Sequence, residues 1–183
     1  PLMTNIGTFI ISEIERVIIN QIVRSPGIYY KKELDKNDKY IFSASLISNR
    51  GSWLKFEIDA KAQIWVKIDK THKVNAYVFL RAIGLTQNEI KKTLSKYSFL
   101  LNASTIYEKK ELEKEIGKSS VENSTKEEAL LIVYSKLRPN EPATISVAQQ
   151  MLYSRFFDPK RYDLGEVGRH KINKKLNLNL PTS

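Results

Sequence analysis

At 183 residues, 42% of them hydrophobic, the chain is long enough to bury one substantial core. It contains no cysteine, which excludes a disulfide scaffold and a cysteine-based zinc site and fits a reducing compartment. Its 30 Lys and Arg against 20 Asp and Glu leave a formal net charge of +10, which points to a polyanionic partner, nucleic acid ahead of a membrane surface, beside the plainer reading of a solvated lysine surface.

The first third reads as β structure. "GTFIIS" and "RVIINQIV" are rich in β-branched residues, and "SPG" at residues 25–27 breaks the run with the proline and glycine of a turn. Arg24 stands directly before that turn. Residues 31–38 read as a charged loop, after which "KYIFSASLI" resumes the β pattern. "SWLKFEID" and "AQIWVKID" flank Asp59, Ala60 and Lys61 as a hairpin. In the second of these Ile64, Val66 and Ile68 share one face, while Trp65, Lys67 and Asp69 share a basic, aromatic outer face.

Helical patterns follow residue 74. "VFLRAIGL" fits a short buried helix. In "TQNEIKKTLSKY", Thr86 and Glu89 have the spacing of a reciprocal capping box, with Ile90, Leu94 and Tyr97 as the inward stripe. Residues 107–128 mix lysine and glutamate with few apolar anchors and read as a solvated helix with a loop at "GKSSVENS". A helix over residues 125–137 has its capping box in Ser124 with Glu127 or Thr125 with Glu128. Leu130, Val133 and Leu137 form its stripe, and Pro139 is its stop. "RPNEPAT" is a rigid connection, and Thr144 caps a last helix through Val147, Met151 and Leu152. Strands first and helices second make the fold class α+β, a strand-rich N-terminal part followed by a helical part.

No catalytic constellation emerges. His72 and His170 lie far apart without partners at metal-ligand spacing and read as surface residues, and no clustered aspartates could hold magnesium. The glycines of "DLGEVGRHK" lack the Gly-Lys-Ser/Thr ending of a phosphate loop. No apolar run reaches the roughly 18–20 residues of a transmembrane helix, no signal-peptide pattern opens the chain, and both ends read as cut from something longer. The candidate residues are therefore binding residues: Arg24, Arg50 and Trp53, then Lys67, Lys70 and Lys73, and a basic C-terminal run through Arg169, Lys171, Lys174 and Lys175, all able to meet phosphates or bases. Trp53 serves equally well as a core or edge anchor, and Arg24 as a cap on strand carbonyls.

"PLMTNIGTFIISEIERVIINQIVRSPGIYY", "SNRGSWLKFEIDAKAQIWVKID", "LRPNEPAT" and "SRFFDPKRYDLGEVGRHKINKKL" resemble, in order and over almost the whole chain, the N-terminal part of the β subunit of multisubunit DNA-dependent RNA polymerase. The wording is most similar to the plastid-encoded branch, which implies a plastid or chloroplast location, the bacterial cytoplasm being the alternative. The resemblance implies the end of the protrusion domain over residues 1–24, a lobe over 25–169 and a return segment over 170–183. It implies a non-catalytic part of a nucleotidyltransferase, with no cofactor of its own and magnesium held by the β′ subunit. Its implied partners are template and non-template DNA, nascent RNA, and the α, β′ and sigma subunits, with no membrane.

In the family, the arginine matching Arg24 belongs to a pocket for a non-template base at the downstream edge of the bubble, and the tryptophan matching Trp53 stacks on a neighbouring base. The resemblance further implies that Arg16, Ile19 and Gln21 form the outer wall of the rifamycin pocket, and the alternation of "ERVIINQ" is expected to place all three on one strand face. Here the sequence departs from the family: "SEIERV" stands where an Asn-Gly turn is usual, and Ile19 where valine is common, which puts the hairpin before Arg16 in doubt. The alternative from another class is a free-standing basic nucleic-acid-binding protein that recruited this fold.

Overall fold

The computed structural model describes residues 1–34, 38, 40–59, 63–69, 72–94, 126–142 and 144–182. Strands precede helices, in agreement with the α+β expectation. A two-residue turn joins β1 (Phe9–Ile11) to β2 (Ile14–Arg16), with Phe9 opposite Arg16 and Ile11 opposite Ile14. Ser12 at φ 51° and Glu13 at φ 64° are both left-handed, the backbone of a type I′ turn, whose twist matches that of antiparallel strands. The hairpin before Arg16 thus persists without the glycine that this turn favours.

Beyond Arg16 the expectation of a continuous strand fails. Residues 17–23 belong to neither sheet, and their side chains are exposed. Arg16, Ile19 and Gln21 therefore do not share a strand face. Strand periodicity would not have put them together either, since with a period of two Arg16 faces opposite to Ile19 and Gln21.

Five strands form an antiparallel meander in chain order: β3 (Gly27–Leu34), β4 (Tyr40–Ile47), β5 (Leu54–Ile58), β6 (Ile64–Ile68) and β7 (His72–Asn75). The expected charged loop from residue 31 begins later. β3 runs on to Leu34 because pairing from Lys31 with Ser43 through Leu34 with Tyr40 satisfies its backbone, while its lysines stay in water. One face carries Leu54, Val66, Ile68 and Val74 into the core, as the alternation in "IWVKI" requires. The opposite face brings Tyr29, Ser45, Lys55, Lys67 and Lys73 into one row across all five strands.

Helices cover the apolar face. Asn75 ends β7 and caps α1 (Ala76–Ile83), its Oδ1 accepting from the Tyr77 amide at 2.9 Å, and Gly84 closes the helix at φ 113°. In α2 (Gln87–Leu94) the expected capping box is present: Glu89 Oε2 accepts from the Thr86 amide at 2.8 Å, and Thr86 Oγ1 accepts from the Glu89 amide at 3.3 Å. α3 (Lys126–Leu137) packs Leu130, Val133 and Tyr134 against α1 and the sheet. α4 (Ile145–Phe156) begins after Thr144 as expected, but the Thr144 side chain makes no cap hydrogen bond, and the helix buries Ala148 and Leu152 while Val147 is exposed. Its Phe156 meets Phe79 edge-on at 5.9 Å. α4 is not the last helix. α5 (Gly165–Leu176) follows, where the sequence showed only glycines and a basic run. Lys70, Tyr97, Ser124, Thr125, the turn at Ala60 and Lys61, and the solvated helix and loop expected before residue 126 lie outside the described residues.

Candidate nucleic-acid interface

The outer face of the meander is built from short-range patterns held by long-range contacts. Ser25-Pro26-Gly27 turns the chain into β3, with proline limiting φ and Gly27 at φ 141°, a conformation that side chains resist. α5 docks against this turn. A Cβ on Gly168 would lie 2.9 Å from the Pro26 Cβ, so only glycine allows the approach. Lys171 Nζ donates to Ser25 Oγ and Lys175 Nζ donates to the Ile28 carbonyl. The Tyr29 hydroxyl donates to the Ser25 carbonyl at 2.8 Å, which leaves its oxygen to accept from Ser25 Oγ at 2.9 Å. The Tyr29 ring, fixed in this way, has the Arg24 guanidinium 5.3 Å and the Lys175 ammonium 4.9 Å from its centroid, both within cation–π range.

Trp53 is placed from the other side. It is 41% exposed on the outer face, one residue before β5. Asp69, in the left-handed turn that ends β6, accepts from the Trp53 amide at 2.9 Å and from Ser52 Oγ at 2.7 Å, and its own amide donates to the Trp53 carbonyl at 3.1 Å. Arg155 of α4 donates to the same carboxylate at 3.0 Å. The backbone entering β5 is therefore tied to β6 and to the helical layer.

Between these supports lies a cavity of about 510 Å³. Arg24, Tyr29 and Trp53 line it together with Lys31, Lys55 and Lys67. Beside it, Glu57 faces Lys55 at 2.7 Å, Lys67 at 3.0 Å and Lys73 at 3.5 Å. Partial burial pushes the Glu57 carboxyl up, but hydrogen bonds and attraction from Lys55 and Lys67 outweigh burial and hold it down at about 2. A cation fork, aromatic faces and amines around one opening can receive an unpaired base and its phosphates.

The structure thus brings Arg24, Trp53 and Lys67 together and leaves Lys73 next to them on the same face. It does not bring in Arg50, whose backbone bridges Asp163 and whose guanidinium donates to the Pro159 carbonyl at 3.1 Å. Arg169 lies 3.8 Å from the Asp163 carboxylate, away from the cavity, and Lys171 and Lys175 seat α5. Tyr29, Lys31 and Lys55 were missed by sequence reasoning. The signal was the alternation of Lys55 with Leu54 and Phe56, the same pattern that marked Lys67. Arg16, Ile19 and Gln21 lie outside this site, Arg16 at the end of β2 and the other two on the exposed stretch. Among the described residues no three His, Cys, Asp or Glu side chains group to hold a metal ion, and no helix is long and apolar enough to cross a membrane.

A family model described as RNA polymerase Rpb2, domain 2, matches residues 24–183. The chain is 77% identical over 181 residues to a protein of Pyropia yezoensis named DNA-directed RNA polymerase subunit beta, covering 99% of the chain and 16% of that protein. It is 60% identical over 179 residues to the protein of the same name from Synechocystis, covering 98% of the chain and 15% of that protein. The chain spans about one-sixth of the length of the relatives it matches.

Proposed function

The chain belongs to the β-subunit family of DNA-directed RNA polymerase, and on that premise we propose that its outer sheet face lines the DNA cleft of the enzyme and receives an unpaired base of the non-template strand. The observation that carries this reading is the single cavity shared by Arg24 and Trp53, which lie on different elements and are each held by independent contacts. Arg24 offers paired donors to a base edge, Trp53 offers an exposed ring for stacking, and Lys31, Lys55, Lys67 and Lys73 meet the backbone phosphates. Arg50, Lys70 and Arg169 contribute, in this reading, only to the wider positive field.

As part of the nucleotidyltransferase, the chain would contribute binding and no reacting group, the magnesium being held by the β′ subunit. Template and non-template DNA, nascent RNA, and the α, β′ and sigma subunits are its partners in this proposal. Residues 1–24 end the protrusion, 25–169 form the lobe, and 170–183 lead back toward the protrusion. The similarity to the Pyropia protein supports a plastid location.

In the complete polymerase, Trp53→Ala is expected to shorten the lifetime of a promoter open complex by about 5-fold or more, since one base stack contributes roughly 1–3 kcal/mol. The lifetime is measured by challenge with a competitor, and an unchanged value would refute the stacking role.

A further inference from the structure

On the cross-strand row beside the cavity, one carboxylate meets three amines. Lys55 and Lys67 line the cavity and also bond to Glu57, so their ammonium groups are shared between the opening and a resident anion. Lys73 completes the set from β7. The three lysines come from adjacent strands in register, and the glutamate is the residue that follows Lys55 on the same face of β5. Three amines converging on one oxygen pair make the geometry of an oxyanion site, and an arriving phosphodiester brings the same charge and the same acceptor atoms.

We propose that Glu57 is a built-in competitor for nucleic-acid phosphate, occupying the anion position formed by Lys55, Lys67 and Lys73 and limiting how tightly the outer face holds DNA. The inference rests on the reading that this face contacts DNA. When a phosphate engages Lys55 or Lys67, that lysine turns from the carboxylate toward the cavity. Glu57 retains Lys73, so the displaced charge is not left alone. The glutamate thereby weakens a contact that must be released each time the polymerase advances.

A purely structural role for Glu57 and a competing role predict opposite signs. As a scaffold that orders the lysines, its loss would scatter them and weaken DNA binding. As a competitor, its loss frees them and strengthens it. The test is Glu57→Gln in the complete polymerase, with a promoter duplex carrying a premelted bubble as the probe, titrated across a range of salt concentrations. The expected result is binding about 2- to 5-fold tighter at low salt, the effect of one screened charge, with a salt slope steeper by about 0.7–0.9. Glu57→Thr, a residue suited to a strand, is expected to change binding in the same direction. Unchanged or weaker binding by both variants, alongside a shortened open complex for Trp53→Ala, overturns the competitor and leaves the interface standing. No effect of Glu57→Gln or of Trp53→Ala overturns both.

Discussion

Ser12 and Glu13 occupy left-handed backbone that costs a residue bearing a Cβ about 1–2 kcal/mol. The hairpin tolerates this because the β1–β2 ladder fixes the chain on both sides, and the Thr8 hydroxyl donates to Glu15 across it. Glu13→Gly should relieve one of the two strained residues. Hydrogen exchange of the Ile11 and Ile14 amides should then slow by about 5- to 10-fold, corresponding to about 1 kcal/mol. Equal exchange in both forms would mean that the hairpin is held by contacts beyond its turn. The resemblance to the polymerase family made this departure visible, but the turn type followed only from the two φ angles.

At the scale of elements, α5 and the Ser-Pro-Gly turn depend on each other through Gly168. Replacing it with alanine favours a helix by about 1 kcal/mol through propensity, yet a Cβ 2.9 Å from Pro26 overpacks the contact at a cost of about 1–3 kcal/mol. Overpacking wins, so Gly168→Ala is expected to lower the thermal midpoint of the chain by several degrees, as measured by calorimetry; a raised midpoint would show that the turn yields freely. The same contact explains why α5 escaped notice in the sequence. Its apolar positions are sparse, and what holds it comes from 146 residues away, where Lys171 meets Ser25. The capping box of α2 and the alternation in β6 were legible because each is complete within a few residues. The charged end of β3 misled for the opposite reason, since its strand character comes from its partner β4.

At the scale of the whole molecule, the net charge of +10 pointed to an anionic partner but could not locate the surface that meets it. Strand register gathers lysines from separate strands onto one face, by aligning residues from five separate stretches in one row, and no local window of sequence contains that alignment. Lys67→Gln in the complete polymerase should weaken binding to bubble DNA about equally across sequences and lessen the salt slope by about 0.7–0.9; an unaltered slope would take Lys67 out of the phosphate contacts. The large identity to the Pyropia and Synechocystis proteins covers both this face and the stretch before it.

That stretch, residues 17–23, has a consequence for the chain handled by itself. "VIINQIV" holds five β-branched apolar residues, no charge, no proline and no glycine, and it lies exposed outside both sheets. Segments of this composition stack on copies of themselves as steric zippers. The chain handled by itself is therefore expected to self-associate through this strip.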